Sequence, residues 1–406
     1  MNYIVLIISV AIFFGVSDLL TVNYTKIQRD IFYIALGIIY FLFLIRYYYG
    51  PDIASYVPYF EKLPKSLKLN DLINGYHEHF EVGYYLLNVI FHTIGLSYWW
   101  LTAFITSLYF LAVYLLFKNI PSFRSFALMI LVALDYNLIY AENRQCLAVA
   151  FFIFAILLFQ KKKFLWGLVM MVICVTMHKS AIFIVALSLF YFVLKNWKIP
   201  TYLYQLLFAI LAILVVLPVS KISTALIAIL PLPANYVASL SHHLSLGTQF
   251  QLIALIYLIT LFCFMYYRLY NNKTRNSWIT FISIIGLAII VVVYQYYFLL
   301  NRIRSYFIPF IIVELLRLVC HEREHLHIRY ASFLRQITAV IVIMYCIHSA
   351  IAFYRMSEKL SCPLNNACTI FNLIDDTPSN IRGHQMQLAE KFWEVDYNKD
   401  EKNKLR

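Results

Sequence analysis

Charge is scarce in this chain. Of 406 residues, 13% are Asp, Glu, Lys or Arg, about half of what a soluble domain carries. With 62% hydrophobic residues, that excludes both an ordinary water-soluble fold and a disordered chain. Glycine and proline are also few, 10 and 11, which removes collagen-like and low-complexity classes. No internal repeat is evident, so the paired inverted halves of many transporters are missing. Acids are the rarer sign, 20 against 33 bases. The resulting net charge of +13 would suit nucleic acid, yet cytoplasmic loops of membrane proteins concentrate Lys and Arg. No nucleic-acid partner is expected. The first apolar stretch lacks a basic n-region and a small-residue cleavage site, so it reads as a mature span and not as a cleaved signal.

What is present is a succession of apolar runs. They cover roughly 3–20, 31–48, 99–117, 125–140, 143–160, 164–178, 180–194, 201–220, 249–268, 277–299, 305–319 and 333–352, each near the ~20 residues that cross a bilayer. The expected fold is all-α: a polytopic integral membrane protein with about twelve transmembrane helices. The short connectors with Lys26 and Arg29, Lys118 and Arg124, Lys161 to Lys163, Lys195 and Lys198, Lys273 and Arg275, and Arg323 and Arg329 all fall on one side. The positive-inside rule makes that side the cytoplasm. Residues 80–97 would invert the earlier spans if counted, so they are assigned to a short re-entrant or surface helix on the outer, periplasmic face. Residues 1–353 then form one membrane domain with outer loops at 49–98 and 221–248, and 354–406 form a polar periplasmic tail. Cys362 and Cys368 lie six apart in that tail. An oxidising compartment permits a disulfide there, and two free thiols are an equal alternative.

The informative cations break the positive-inside pattern. Arg46 ends the second span on the outer side, Arg144 opens a span there, His178 and Lys179 occupy a hairpin turn, and Arg302 and Arg304 lie in a short outer connector. One such arginine commonly snorkels or pairs with a neighbour. Several on one face point to a shared anionic ligand, since the guanidinium fork donates parallel hydrogen bonds to phosphate and stays charged. Acids gather on the same face: Asp52 after Gly50 and Pro51, Glu81, Asp135 inside a span, and Glu142. A carboxylate held among arginines stays ionised and is a candidate base for a sugar hydroxyl. Asp52 also suits a plain turn, and Asp135 and Glu142 suit ion pairs with Arg144. His178 is a further candidate base, because its charge changes near neutral pH.

Four stretches together resemble the EpsG family of bacterial polysaccharide polymerases, a branch of the Wzy-type polymerases. They are Arg46 to Tyr56 with Gly50 and Asp52; Glu81-Val82-Gly83-Tyr84; Asn143-Arg144-Gln145 through to His178-Lys179-Ser180; and Asn301-Arg302-Ile303-Arg304-Ser305-Tyr306. The resemblance covers roughly residues 30 to 315. Pro51 stands where the family usually has a small polar residue. The resemblance implies a GT-C-like membrane glycosyltransferase in the bacterial inner membrane, working at the periplasmic face. It implies transfer of a growing chain from undecaprenyl pyrophosphate to the non-reducing end of another lipid-linked repeat unit. The partners it implies are those lipid-linked oligosaccharides, the bilayer and a chain-length regulator. No cofactor and no metal is expected. Arg144 and Arg302 are the expected pyrophosphate contacts, with Arg46 and Arg304 in support. Asp52, His178 and Glu81, in that order, are the candidate bases. Tyr56, Asn143, Gln145, Ser180, Asn301, Tyr306, Asp135 and Glu142 are expected around the substrate. Tyr84, Tyr85, Trp99 and Trp100 are candidate sugar platforms, although the interfacial aromatic belt explains most such residues.

Three alternatives carry weight. An O-antigen ligase would use the same chemistry on another acceptor. A lipid-linked oligosaccharide transporter would also need arginines along its path. His321-Glu322-Arg323-Glu324-His325 matches the HExxH pattern of zinc proteases, but it is crowded with charge, sits in an expected cytoplasmic loop and has no evident third ligand. Glu314 and Arg317 fit a structural i,i+3 pair.

Overall fold

Long apolar runs leave the backbone one way to satisfy its N–H and C=O groups away from water without a partner strand: the α-helix. The computed structural model is accordingly mostly helical. It describes residues 3–21, 25–47, 52–63, 80–118, 120, 122–194, 277–293 and 297–325, with short stretches at 210, 259–261, 368–369, 377, 379–384 and 386–387. Among these run α1 (Tyr3–Leu20), α2 (Thr25–Leu44), β1 (Arg46–Tyr47), α3 (Ile53–Glu61), α4 (Val82–Thr93), α5 (Tyr98–Phe117) and α6 (Arg124–Tyr140). They are followed by α7 (Asn143–Gln160), α8 (Phe164–Met177), α9 (Ala181–Leu194), α10 (Trp278–Val293), α11 (Tyr297–His325) and β2 (Cys368–Thr369).

Three of these helices, α2, α5 and α7, are long and apolar enough to cross a membrane. Apolar side chains on α8 stay uncovered, with Leu165 73% and Val172 64% exposed, as suits a lipid-facing surface. α4 has 12 residues, about 18 Å of rise. That is short of the ~30 Å hydrocarbon core. The expected spans at 201–220 and 333–352 and the loop at 221–248 lie outside the described residues, apart from residue 210 in the first. So does the expected span at 249–268 except for 259–261, and so does Cys362.

Two expectations are corrected. Residues 300–304, expected as a connector, lie inside α11. Nothing in Asn301-Arg302-Ile303-Arg304 breaks a helix, and a polar turn within one needs no loop. The HExxH stretch likewise continues α11 to His325 and is not a loop.

The chain divides into two compact units. The first comprises Met1–Phe154, Leu168–Lys179 and Val319–Arg406. Here α1 packs on α6 and α2, and α2 packs on α5 and α6. Gly15 permits the close approach of α1, because a Cβ there would lie 2.7 Å from Met129 Sδ. Small residues at such contacts are what lipid-embedded helices use to associate. Asp18 Oδ2 accepts the Ser125 N–H at 2.7 Å and the Phe126 N–H at 3.3 Å, satisfying two orphan donors of α6. At the other end of these helices β1 pairs antiparallel with β2, Arg46 opposite Thr369 and Tyr47 opposite Cys368. Arg382 forks onto Glu61 with two 2.8 Å bonds. The C-terminal segment thus returns to the end of the bundle that carries Arg46.

The second unit comprises Ala155–Gly167 and Ser180–Leu318. Trp278 stacks on Phe159 with centroids 4.6 Å apart. Gly286 lies against Phe307, where a Cβ would come within 2.4 Å of the ring. Thr280 donates to the fully buried Glu314 at 2.8 Å, and Arg317 reaches the other carboxylate oxygen at 3.3 Å. This is the expected structural pair, extended by a hydroxyl from α10.

Candidate functional site

In the first unit, α3, α4, α7 and the α8–α9 turn bring their ends together around one carboxylate. Glu81 stands just before α4 with extended backbone, so its side chain is free of the helix it precedes. Its Oε2 accepts Arg144 Nη1 at 2.8 Å. Its Oε1 accepts the Lys179 N–H at 3.1 Å and lies 3.2 Å from His178 Nδ1. The side chains of Glu81 and His178 are buried, 7% and 10% exposed, and that of Arg144 is 25% exposed. Burial is the largest single influence on Glu81 and favours the neutral acid. The bonds from His178, Arg144 and the Lys179 N–H together outweigh it and hold the carboxyl well below the usual carboxylate range.

The protonation of the neighbours follows. An ionised carboxylate only accepts hydrogen bonds. His178 Nδ1 therefore carries its proton toward Glu81, and in the neutral ring Nε2 holds the basic lone pair. Gly83 makes this geometry possible: a Cβ there would lie 2.4 Å from Thr176 Oγ1 and 2.9 Å from Met177 Cε. The start of α4 can reach the end of α8 only with no side chain at that position.

Arg144 is held from a second direction. Its Nε donates to the Tyr56 hydroxyl at 3.3 Å, and that hydroxyl donates to Asp52 Oδ2 at 3.3 Å. Burial, with Asp52 alongside, pushes the Tyr56 phenol well up, so it keeps its proton for Asp52. The guanidinium lies over Phe80 at 4.8 Å and Tyr56 at 5.8 Å. Such stacking suits Arg and fixes its plane. Beside it, Arg46 is buried and donates to the Ile139 carbonyl at 2.7 Å and to Asn143 Oδ1 at 3.4 Å. Ile139 falls in the last turn of α6, where carbonyls have no helical partner. Asn143 in turn donates to the Tyr98 hydroxyl at 2.8 Å.

The structure therefore joins Asp52, Tyr56, Glu81, Arg144 and His178 in one hydrogen-bonded group and Arg46 and Asn143 in a second, with Asn143 and Arg144 consecutive at the start of α7. Glu81 makes the ion pair with Arg144 for which Asp135 and Glu142 were the expected partners. Glu142 instead accepts from Asn137 at 2.7 Å. Asp135 is buried where α6 departs from helical backbone, at φ −116° and ψ 21°. Gln145 is buried in the first turn of α7. Tyr84 and Tyr85 are buried within the fold, which makes them packing residues and not sugar platforms. In the second unit Ser180 and Tyr306 place their hydroxyls 3.4 Å apart. Asn301, Arg302 and Arg304 occupy α11. Arg302 and Arg304 are two apart on that helix, so they do not share a face.

Phe80, Tyr98 and the role of Gly83 escape sequence reasoning. Phe80 and Tyr98 carry no signal beyond aromatic abundance. Gly83 did stand in a quoted motif, beside the Glu it serves. Among the described residues no His, Cys, Asp and Glu group could hold a metal ion.

A family model described as the EpsG family matches residues 30–366, most of the chain. The match runs past residue 315, where the recognisable motifs stop. No curated protein and no solved structure matches the chain.

Proposed function

Since the chain belongs to the EpsG family, whose members are polysaccharide polymerase-like membrane proteins, we propose that it is a glycan polymerase acting at the periplasmic face of the bacterial inner membrane. It takes a growing oligosaccharide chain from undecaprenyl pyrophosphate and joins it to the non-reducing end of another lipid-linked repeat unit. The observation that carries this reading is the Arg144–Glu81–His178 group, an oriented cation beside an oriented base.

Each part has a chemical task. The acceptor hydroxyl gives its proton to His178 Nε2. Its oxygen bonds to the anomeric carbon of the donor sugar as the bond from that carbon to the pyrophosphate oxygen breaks. The electron pair leaves with undecaprenyl pyrophosphate. Arg144 meets that growing negative charge, and Arg46 supports it. Donors prearranged at a developing charge lower the barrier because they need no reorganisation during the reaction. Glu81 and Tyr56 use two of the five N–H donors of Arg144 and hold its plane. Glu81 also orients His178 and stabilises the imidazolium that forms, as a carboxylate does in a catalytic triad. His178 is preferred as base over Asp52 because Glu81 orients its ring, whereas Asp52 accepts from Tyr56.

Reconstitution tests the proposal. The purified protein would receive undecaprenyl-pyrophosphate-linked repeat units from its host, and products would be resolved on a gel. A ladder of repeat multiples that persists in EDTA is expected. No ladder, with verified substrate and folded protein, would sink the polymerase reading, and lipid A core would then be offered to look for ligation.

A further inference from the structure

The first unit has a second polar feature, at the opposite end of its helices from Arg144. α2 runs 20 residues from Thr25 to Leu44, about 30 Å, and at its Thr25 end lies a cavity of about 260 Å³. It is lined by Lys26, Gln28 and Arg29 from α2 and by Ser122, Phe123 and Arg124 from the entry to α6. We propose that this cavity binds the phosphate-bearing headgroup of an anionic membrane lipid.

Three cations from two separate segments line one cavity, and among the described residues no acid lines it with them. Arg29 approaches Asp30 at 3.6 Å, with both side chains about half exposed, and such surface pairs hold each other weakly. Arg124 donates Nε to the Ile120 carbonyl at 2.7 Å, which holds the guanidinium in place and uses one of its five donors. Gln28 is buried and donates Nε2 to the Asp18 carbonyl at 3.1 Å, a rigid inner wall. Phe123 is buried with left-handed backbone, φ 63° and ψ 39°. That conformation is disfavoured for a bulky residue, so packing must hold it, and it sets Ser122 and Arg124 on the same wall. The attraction does not come from the start of α6, because Asp18 already accepts its Ser125 and Phe126 N–H groups.

The surroundings favour a lipid over a soluble phosphate. Leu20 and Ile27, 80% and 44% exposed, flank the cavity in sequence. Ile34, Ile38 and Phe41 continue an exposed apolar stripe down α2 at helical spacing. An acyl chain would have a path from the headgroup along that stripe. The sequence pattern assigns this end to the cytoplasm, whose leaflet carries anionic lipid, and basic pockets between spanning helices bind such headgroups.

The test needs no catalytic assignment. Full-length protein in detergent would be offered equal amounts of phosphatidylglycerol and phosphatidylcholine with matched chains, and bound lipid read by native mass spectrometry. Phosphatidylglycerol should be retained selectively. Each of Lys26→Gln, Arg29→Gln and Arg124→Gln should weaken retention about fivefold, and the triple variant about a hundredfold. Arg124→Lys should keep most of it, which separates lost charge from a misfolded α6. Excess inorganic pyrophosphate should leave the lipid bound. Equal retention of both lipids, or a triple variant that still prefers phosphatidylglycerol, would overturn the proposal. Displacement of the lipid by pyrophosphate would assign the cavity to a soluble phosphate and overturn the lipid source.

Discussion

Glu81 accepts three hydrogen bonds from two chain segments, the start of α7 and the α8–α9 turn, and its substitutions separate charge from shape. Glu81→Gln keeps the volume and removes the charge that orients His178 Nδ1–H. Polymer formation should fall about a hundredfold or more, as expected when general-base catalysis is lost, and His178→Ala should fall comparably. The double variant should be little worse than either single one, because the two act as a unit. Arg144→Ala should cost about 10²–10³ in rate while the protein still inserts. Wild-type chain length in that variant would remove Arg144 from the mechanism.

Glu81 also predicts a pH dependence. Its carboxyl is held below the ordinary value, so its contribution to stability is complete above the unfolded value of about 4.3. The contribution is lost as pH falls through the lower, folded value. The stability gap between wild type and Glu81→Gln should narrow as pH falls below about 4. Thermal unfolding in detergent across that range measures it. A gap that widened as pH fell below about 4 would mean that Glu81 is not held as an ion.

At the scale of elements, two glycines in helices make opposite predictions. A Cβ at Gly83 would meet Thr176 Oγ1 at 2.4 Å and Thr176 Cβ at 2.8 Å. Gly83→Ala should therefore push α4 off the end of α8, costing about 1–3 kcal/mol and separating Glu81 from His178. Stability and polymer yield should fall together. A Cβ at Gly37 in α2 meets nothing within 4 Å. Gly37→Ala should be neutral or stabilise by up to about 1 kcal/mol through helix propensity. A melting-temperature comparison of the two variants decides whether close helix approach at Gly83 is what holds the site.

For the whole molecule, the pairing of β1 with β2 sets a topological condition. Residues 46–47 and 368–369 lie on the same side of the membrane, so the chain between them crosses an even number of times. Tyr47 and Cys368 are directly opposite in register, and facing residues of an antiparallel pair lie within disulfide range. Tyr47→Cys should cross-link to Cys368 on mild oxidation, read as protection of both thiols from maleimide. A reporter fused after residue 353 should appear periplasmic. Full maleimide labelling of both thiols, or a cytoplasmic reporter signal, would mean that the tail does not return to the site.

The sequence by itself determined the class of this protein and the kinds of residue at its site. Low charge and recurrent apolar runs demand helices in lipid, because unpaired backbone there is too costly. Cations on the wrong side of the positive-inside pattern singled out Arg46, Arg144 and His178 for the same energetic reason. The tertiary structure decided the partnerships. Glu81 meets Arg144 across 63 positions and His178 across 97. No local spacing encodes such a contact, because it depends on how α4, α7 and α8 pack. The order proposed for the candidate bases differs from the expected one for that reason. Asp52, foremost in sequence, is spent on Tyr56. His178, second in sequence, is turned by a buried carboxylate that only folding could bring to it.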